Sequence, residues 1–451
     1  MMSHSFVRFA FLVCLGATWG CGPRVGLHRA SGPASAPSAP SPEDSSADCE
    51  LISEPGEPVG TVALSERVDP VNAPRASNES ERLVFRQLYE TLVRVDCKGR
   101  VRPGLAASWR LDASGRTWIV TMRLNSRFSD GTPVTAADVV SAWTLSGIGD
   151  ELRSEIRRFI RSIHAVDDRT LEITLRSQGV DVPVALAHSD LAIAKRVSGS
   201  RWPLGTRPAR VAAENPLSVA TPENSFSVQF LVAPGRDLRD LLDEGVGLLL
   251  TRDPTAVEYA ATLPQFVSIP LAWQQTKVLL TPGRARTSRS LSAEEREALA
   301  HDAVQGAARG ALGPFWWQSL SNCEVAYSPK RDQSPATGRI VYDAADSAAR
   351  DLAARLVGLR TYQSATGLTG EALASARRGG NDAGYILSLD SRPLDPCRDM
   401  QALVDDVGWI DPETIVPLAD TRLQAIVRRG RSGVIVDWDG GLLFVDGRDK
   451  Q

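Results

Sequence analysis

The chain has 451 residues, 43% of them hydrophobic and 23% charged, and its 51 Lys and Arg against 54 Asp and Glu leave a formal net charge of -3. This is the composition of a globular protein of two or three lobes, and the near balance of charge gives no reason to invoke nucleic acid as a partner. The five histidines are scattered, no Cys-x-x-Cys occurs, and there is no Gly-x-Ser-x-Gly elbow, His-Glu-x-x-His pair, P-loop or dinucleotide fingerprint. No metal, no cofactor and no catalysis are therefore expected.

At the N-terminus, Arg8 supplies a thin positive region, and Phe9 to Trp19 is an apolar run broken only by small residues. The run is shorter than the about 20 apolar residues that span a bilayer, so residues 1–21 read as a secretory signal peptide. Gly20-Cys21 resembles the lipobox of bacterial lipoproteins, whose Cys is acylated, although Thr18 and Trp19 stand where an aliphatic and a small residue are usual. An ordinary cleaved signal with an incidental Cys is the other reading. Residues 22–50 are rich in Ser, Ala, Pro and Gly, with Pro33, Pro37, Pro40 and Pro42 closely spaced. Such a stretch cannot bury a core and reads as a tether. With Cys14 lost in the signal and Cys21 assigned to lipid, Cys49, Cys97, Cys323 and Cys397 remain. Four cysteines allow three connectivities. Cys49 with Cys97 and Cys323 with Cys397 would each stay within one half of the chain, and free buried thiols are the alternative.

Along the mature chain, Val59 to Ser65 reads as a first strand and Asp69-Pro70 as a turn. Leu83, Val84, Gln87, Leu88, Thr91 and Leu92 follow helical spacing over Glu81 to Val93, whose end can turn strand-like before Asp96-Cys97-Lys98-Gly99. Thr117 to Leu124 alternates, with Trp118, Val120, Met122 and Leu124 on one face, which is the pattern of a half-buried antiparallel strand. Asp130-Gly131 is a turn signal, and Thr135 with Asp138 resembles a capping box opening a helix that carries Val139, Val140 and Trp143. Thr170 to Arg176 alternates again. Leu238 to Leu250 reads as a helix followed by a strand, and Ser292 as the cap of a later helix. Ile340 to Asp343 reads as a strand, Asp346 to Leu356 as a helix and Gly433 to Val445 as a closing hairpin. Strands and helices alternate without a strict repeat, as in a multi-lobe α/β protein.

Tyr89-Glu90-Thr91-Leu92, then Pro103-Gly104-Leu105-Ala106-x-Ser108-Trp109, the strand at Thr117, and Asp130-Gly131-Thr132-Pro133 before Thr135-x-x-Asp138-Val139 occur in one order. This series resembles solute-binding protein family 5, the dipeptide-, oligopeptide- and nickel-binding proteins of ABC importers. Each motif also has a structural job in turns, caps or core, so the series identifies a scaffold and does not report a ligand. Leu204-Gly205-Thr206-Arg207-Pro208 resembles a site where the family usually reads Gly-Thr-Gly-Pro-Tyr, with Arg207 in place of the second Gly and Ala209 in place of the Tyr. The chain is short for the family, mostly after Phe266.

The resemblance implies an α/β, periplasmic-binding-protein-like fold, with two main lobes around a cleft plus a peripheral lobe and mixed sheets. Residues 51–74, 165–266 and 421–451 would form the core lobe, 75–164 the peripheral lobe and 267–420 the distal lobe. It implies capture of a small solute, in the first instance a peptide, with an ABC permease and its ATPase as partners and a lipid anchor to the membrane facing the periplasmic space. The alternative is a sensor or accessory lipoprotein derived from a binding protein and no longer engaged in transport. Peptide-binding relatives carry an Asp in a Trp-x-x-Asp-Tyr-x-Asp-Pro-like loop that neutralises the peptide amino terminus. Here the corresponding stretch lacks the Trp. Asp390 takes the acidic role only with a one-residue shift, or else is a strand-end turn residue. Asp390 and Arg392 are the ligand-binding candidates.

Overall fold

The computed structural model describes residues 49–145, 151–154, 156–176, 183–221, 226–272, 274–282, 307–308, 338–359, 362–391, 393, 396–410 and 415–445. Cys21, the signal and most of the tether, the helix expected after Ser292, Cys323 and Arg392 lie outside them. Among the described residues no helix is long and apolar enough to cross a membrane.

Helix α1 spans Glu79–Leu88, capped by the Asn78 side chain, which accepts from the Glu81 amide. The sequence extends this helix to Val93, but it stops at Leu88. Tyr89 is already extended, and the Glu90 amide donates to Thr206 Oγ1 at 2.9 Å instead of to a helical carbonyl. Glu81, in the first turn, is buried and folds the preceding loop onto the helix. Its Oε1 accepts from the Asp69 amide and Asn72 Nδ2, and its Oε2 from the amide and hydroxyl of Ser77. Burial would raise its carboxyl, but these donors hold it below the usual range. Gln87, also buried, ties α1 to the end of the chain by donating to Leu442 O at 2.9 Å and accepting from the Phe444 amide at 3.0 Å.

The first large sheet has four antiparallel strands in the order Ala106–Leu111, Thr117–Met122, Thr170–Leu175, Ile160–Ala165. Trp118, Val120 and Met122 turn inward as the alternation requires, while Leu124 lies past the strand end and is 77% exposed, against expectation. Helix α2, Ala136–Trp143, opens on the expected capping box, in which Thr135 and Asp138 satisfy each other's amides. Its Trp143 is wholly buried and donates from Nε1 to Leu191 O at 3.2 Å. The hairpin Ile160–Leu175 stays in this sheet throughout, so the chain leaves it after Leu175 and not at the expected boundary after His164.

A seven-stranded mixed sheet follows, in the order Phe266–Pro270, Gln424–Arg428, Leu248–Thr251, Thr61–Leu64, Ser227–Val232, Leu217–Ala220, Arg210–Glu214. The buried face of α1, with Leu83, Val84, Phe85 and Leu88, packs into the core of this sheet. It does so although sequence places α1 with the four-stranded unit, because Gln87 and the C-terminal hairpin hold it there. A six-stranded sheet runs Ala307–Ala308, Val416–Thr421, Gln275–Leu280, Gly384–Asp390, Arg339–Asp343, Ser364–Leu368. The helix Ser347–Gly358, capped by Asp346, covers it with Leu352, Ala353 and Leu356. Lys277 is buried beneath it and donates to Asp346 and to Ser388 Oγ.

The seven- and six-stranded sheets are joined twice, through residues 271–274 and 422–423. The two crossings pair with each other, with the Leu271 amide donating to Leu423 O and the Gln274 amide to Thr421 O, both at 3.0 Å. The closing hairpin pairs Val434–Val436 with Leu442–Phe444. Cys49 and Cys97 form a disulfide, and Cys397 is disulfide-bonded as well.

Candidate functional site

Three of the motifs named above, Tyr89–Leu92, Gly104–Leu105 and Gly205–Arg207, meet at the end of α1. Gly205 comes so close to Leu88 that a Cβ there would stand 2.1 Å from the Leu88 carbonyl oxygen. Thr206 Oγ1 accepts from the Glu90 amide, the Arg207 amide donates to Leu88 O at 3.2 Å, and the Ile193 amide donates to Glu90 O at 2.8 Å. Gly104 makes the same kind of approach on the other side, its amide donating to Leu92 O at 3.1 Å, with a notional Cβ 2.4 Å from Thr91 O. Tyr89-Glu90-Thr91-Leu92 is thus an extended segment clamped between two glycine turns.

This clamp forms one wall of a cavity of about 60 Å³ lined by Arg82, Arg86, Tyr89, Arg94, Arg207, Asp437, Trp438 and Asp439, with Pro74, Ser189 and Ala192 among its other walls. The C-terminal hairpin supplies the two carboxylates from its tip, where Gly440 has φ 76° and the Gly441 amide donates to Asp439 Oδ1 at 3.0 Å. Gly441 leaves the space that the Arg86 guanidinium fills, since a Cβ there would lie 2.3 Å from Arg86 Cζ.

Charges in the cavity are partly matched. Arg86 donates to Asp437 Oδ2 at 2.6 Å and also to Asp439, and Arg94 donates to Asp437 Oδ1 at 2.7 Å, so Asp437 bridges two guanidiniums. Burial works against the charge of Arg86, but Asp439 and Asp437 outweigh it and raise its pKa. Burial would likewise raise the Asp439 carboxyl, and Arg86 holds it down. Arg82 lies 3.8 Å from Glu79. The Arg207 guanidinium makes no hydrogen bond or ion pair among the described residues. Its burial, with the like charges of Arg94 and Arg86 and against the pull of Glu90, brings its guanidinium down to about 10.

A groove of about 630 Å³ adjoins the cavity, with Pro74 and Ala192 walling both. Arg75, Arg153, Lys195 and Arg196 line it against Asp138. Among the described residues no cluster of His, Cys, Asp and Glu could hold a metal ion.

Of the sequence candidates, Asp390 is the last residue of its strand, exposed, and opposite Gln275. Its charge reaches Arg82, although it does not line the cavity. The arginines and the Asp437–Asp439 tip were missed. The tip reads as an ordinary turn, and Arg207 stood out in the sequence only as a departure from a glycine.

Residues 100–215 match the model of bacterial extracellular solute-binding proteins, family 5. A putative binding protein of Haemophilus influenzae is 31% identical over 134 residues, 26% of this chain and 26% of that protein. The periplasmic murein peptide-binding protein of Escherichia coli is 45% identical over 60 residues, 13% of this chain and 11% of that protein. The sequence matches therefore span about a quarter or less of these relatives' length. The fold match is wider. A dipeptide-binding protein of Pseudoalteromonas sp. SM9913, solved with Met-Leu, superposes with a TM-score of 0.61 at 14% identity, over 85% of this chain and 98% of that one. NikA of Brucella suis, solved with Fe(III)-EDTA, gives 0.58 at 15% identity, over 82% and 95%. The fold is that of the periplasmic binding proteins, and within it residues 100–215 are similar in sequence to the extracellular solute-binding proteins of family 5.

Proposed function

We propose that this protein is an exported receptor that captures a small solute, in the first instance a peptide, and presents it to an ABC permease driven by its ATPase. The observation that carries this reading is the charged cavity under α1 with its adjoining groove, in a chain similar over residues 100–215 to a family of solute-binding proteins. Binding needs no bond to be made or broken. It requires walls already built and a few polar groups aimed inward, and the motif clamp supplies both. The bounds proposed are 51–74, 165–266 and 421–451 for the core lobe, 75–164 for the peripheral lobe and 267–420 for the distal lobe. The sheets support them with four adjustments: α1 and Val267–Pro270 go with the seven-stranded sheet, Thr170–Leu175 with the four-stranded one and Thr421 with the six-stranded one. Two paired crossings suit a hinge between the two main lobes.

Thermal-shift screening of the mature chain against peptides, metal chelates and sugars tests this reading, because a ligand that binds only the folded state raises Tm by mass action. A rise with at least one class is expected. No shift with any of them at saturation would sink the capture reading and favour the repurposed sensor or accessory protein.

We further propose that Cys21 is acylated and that residues 22–50 tether the receptor to the membrane. The short apolar run before Gly20-Cys21 and the Pro-rich stretch after it support this. Intact mass of the protein extracted from membranes should show cleavage before Cys21 and added acyl chains, with Cys21→Ala released in soluble form. An unmodified Cys21, or its absence from the mature protein, would overturn the anchor.

A further inference from the structure

The cavity under α1 has more donors than acceptors. Four arginines line it against two aspartates. Arg86 and Arg94 donate to Asp437 and Asp439, whereas the Arg207 guanidinium meets no acceptor among the described residues. The Nε atoms of Arg82, Arg94 and Arg207 are all shut off from solvent with no hydrogen-bond partner. The backbone of Arg207 is held by the docking of Gly205 and Thr206 on α1, so its guanidinium is delivered to this place by a fixed loop. A desolvated cationic donor without an acceptor is costly. The excess is local, because the chain as a whole is slightly acidic. The neighbouring groove is cationic as well, with Arg153 and Arg196 beside the Lys195–Asp138 pair.

We infer that Arg207, with Arg82 and Arg94, forms an oxyanion pocket, and that the solute captured carries a carboxylate or a phosphate seated there. This inference rests on the capture reading and names the ligand's chemistry. The cavity's roughly 60 Å³ is room for a handful of waters, about the size of one such group. The adjoining groove holds the remainder of the solute. A guanidinium fork is the side chain suited to this task, since it offers paired N–H donors to two oxygens at once.

Titration calorimetry on the mature chain tests it with four probes: inorganic phosphate, citrate, alanyl-alanine and alanyl-alaninamide. Binding of at least one oxyanion is expected, at least about tenfold tighter than the neutral-ended amide and weakening as salt is raised. Binding by phosphate alone assigns the pocket to phosphate, and binding by citrate or the free dipeptide assigns it to carboxylate. In Arg207→Gln the affinity should fall at least about tenfold, while Tm without ligand stays level or rises because an unpaired charge has been removed. Arg207→Lys should recover part of the affinity. An arginine with a purely structural role would instead lower Tm and leave affinity alone, which overturns the inference. Equal binding of acid and amide overturns it too, while leaving solute capture standing. If none of the four probes nor any screened solute binds, capture and pocket fall together.

Discussion

Replacing Arg86 with Met should lower the unfolding free energy at pH 7 by about 3 kcal/mol, measured by urea denaturation. The guanidinium is 15% exposed and Asp437 only 7%, so this is a largely desolvated pair. Removing one partner of such a pair leaves charge without compensation, at a cost of roughly 3–5 kcal/mol. The lower end applies because Arg94 still reaches Asp437. A loss below about 1 kcal/mol would put the pair in the surface class and refute its structural role. The pH dependence has a definite sign. The Asp439 carboxyl sits below its usual value in the fold because Arg86 outweighs burial. Its contribution is therefore present above the unfolded value near ~3.9 and is lost as pH falls through the lower folded value. In Arg86→Met this part of the acid destabilisation should shrink, as measured by Tm from pH 7 down to about pH 3.

Gly205→Ala should cost about 3 kcal/mol or prevent accumulation of folded protein. The new Cβ would stand 2.1 Å from the Leu88 carbonyl oxygen and 2.9 Å from its carbon. Both are backbone atoms at the end of α1, so relief requires the loop to lift. Lifting it breaks the Thr206–Glu90 and Arg207–Leu88 hydrogen bonds together. Gly60→Ala is the matched control, since a Cβ there meets nothing within 4 Å, and it should change stability by no more than about 0.5 kcal/mol. Equal stability of the two variants by denaturant titration would show that the clamp is soft.

Much of the scaffold was legible because its signals are local. The alternation of Trp118, Val120 and Met122 and the Thr135–Asp138 capping box each lie within a few residues, and each formed as expected. The overrun of α1 past Leu88 has a non-local cause. Thr91 and Leu92 fit helical spacing, but Thr206, far along the chain, claims the Glu90 amide. The cavity was less legible for the same reason. Its walls come from residues 74–95, which include α1, from residues 187–207 and from the hairpin tip at 437–439. Asp437 and Asp439 beside glycines satisfy the pattern of a turn by themselves, so nothing nearby reports that Arg86 will meet them. Arg207 was visible as an oddity, and only its placement beside Arg82 and Arg94 gives it chemical meaning.

The paired crossings at 271–274 and 422–423 make the whole stretch between them topologically an insert. The chain enters and leaves the six-stranded unit at adjacent points, held together by the Leu271–Leu423 and Gln274–Thr421 hydrogen bonds. Residues added to or removed from that unit therefore leave the strand order of the seven-stranded sheet and the arginines beneath α1 in place. A graft point of this kind lets one half of the protein change size while the other keeps its register.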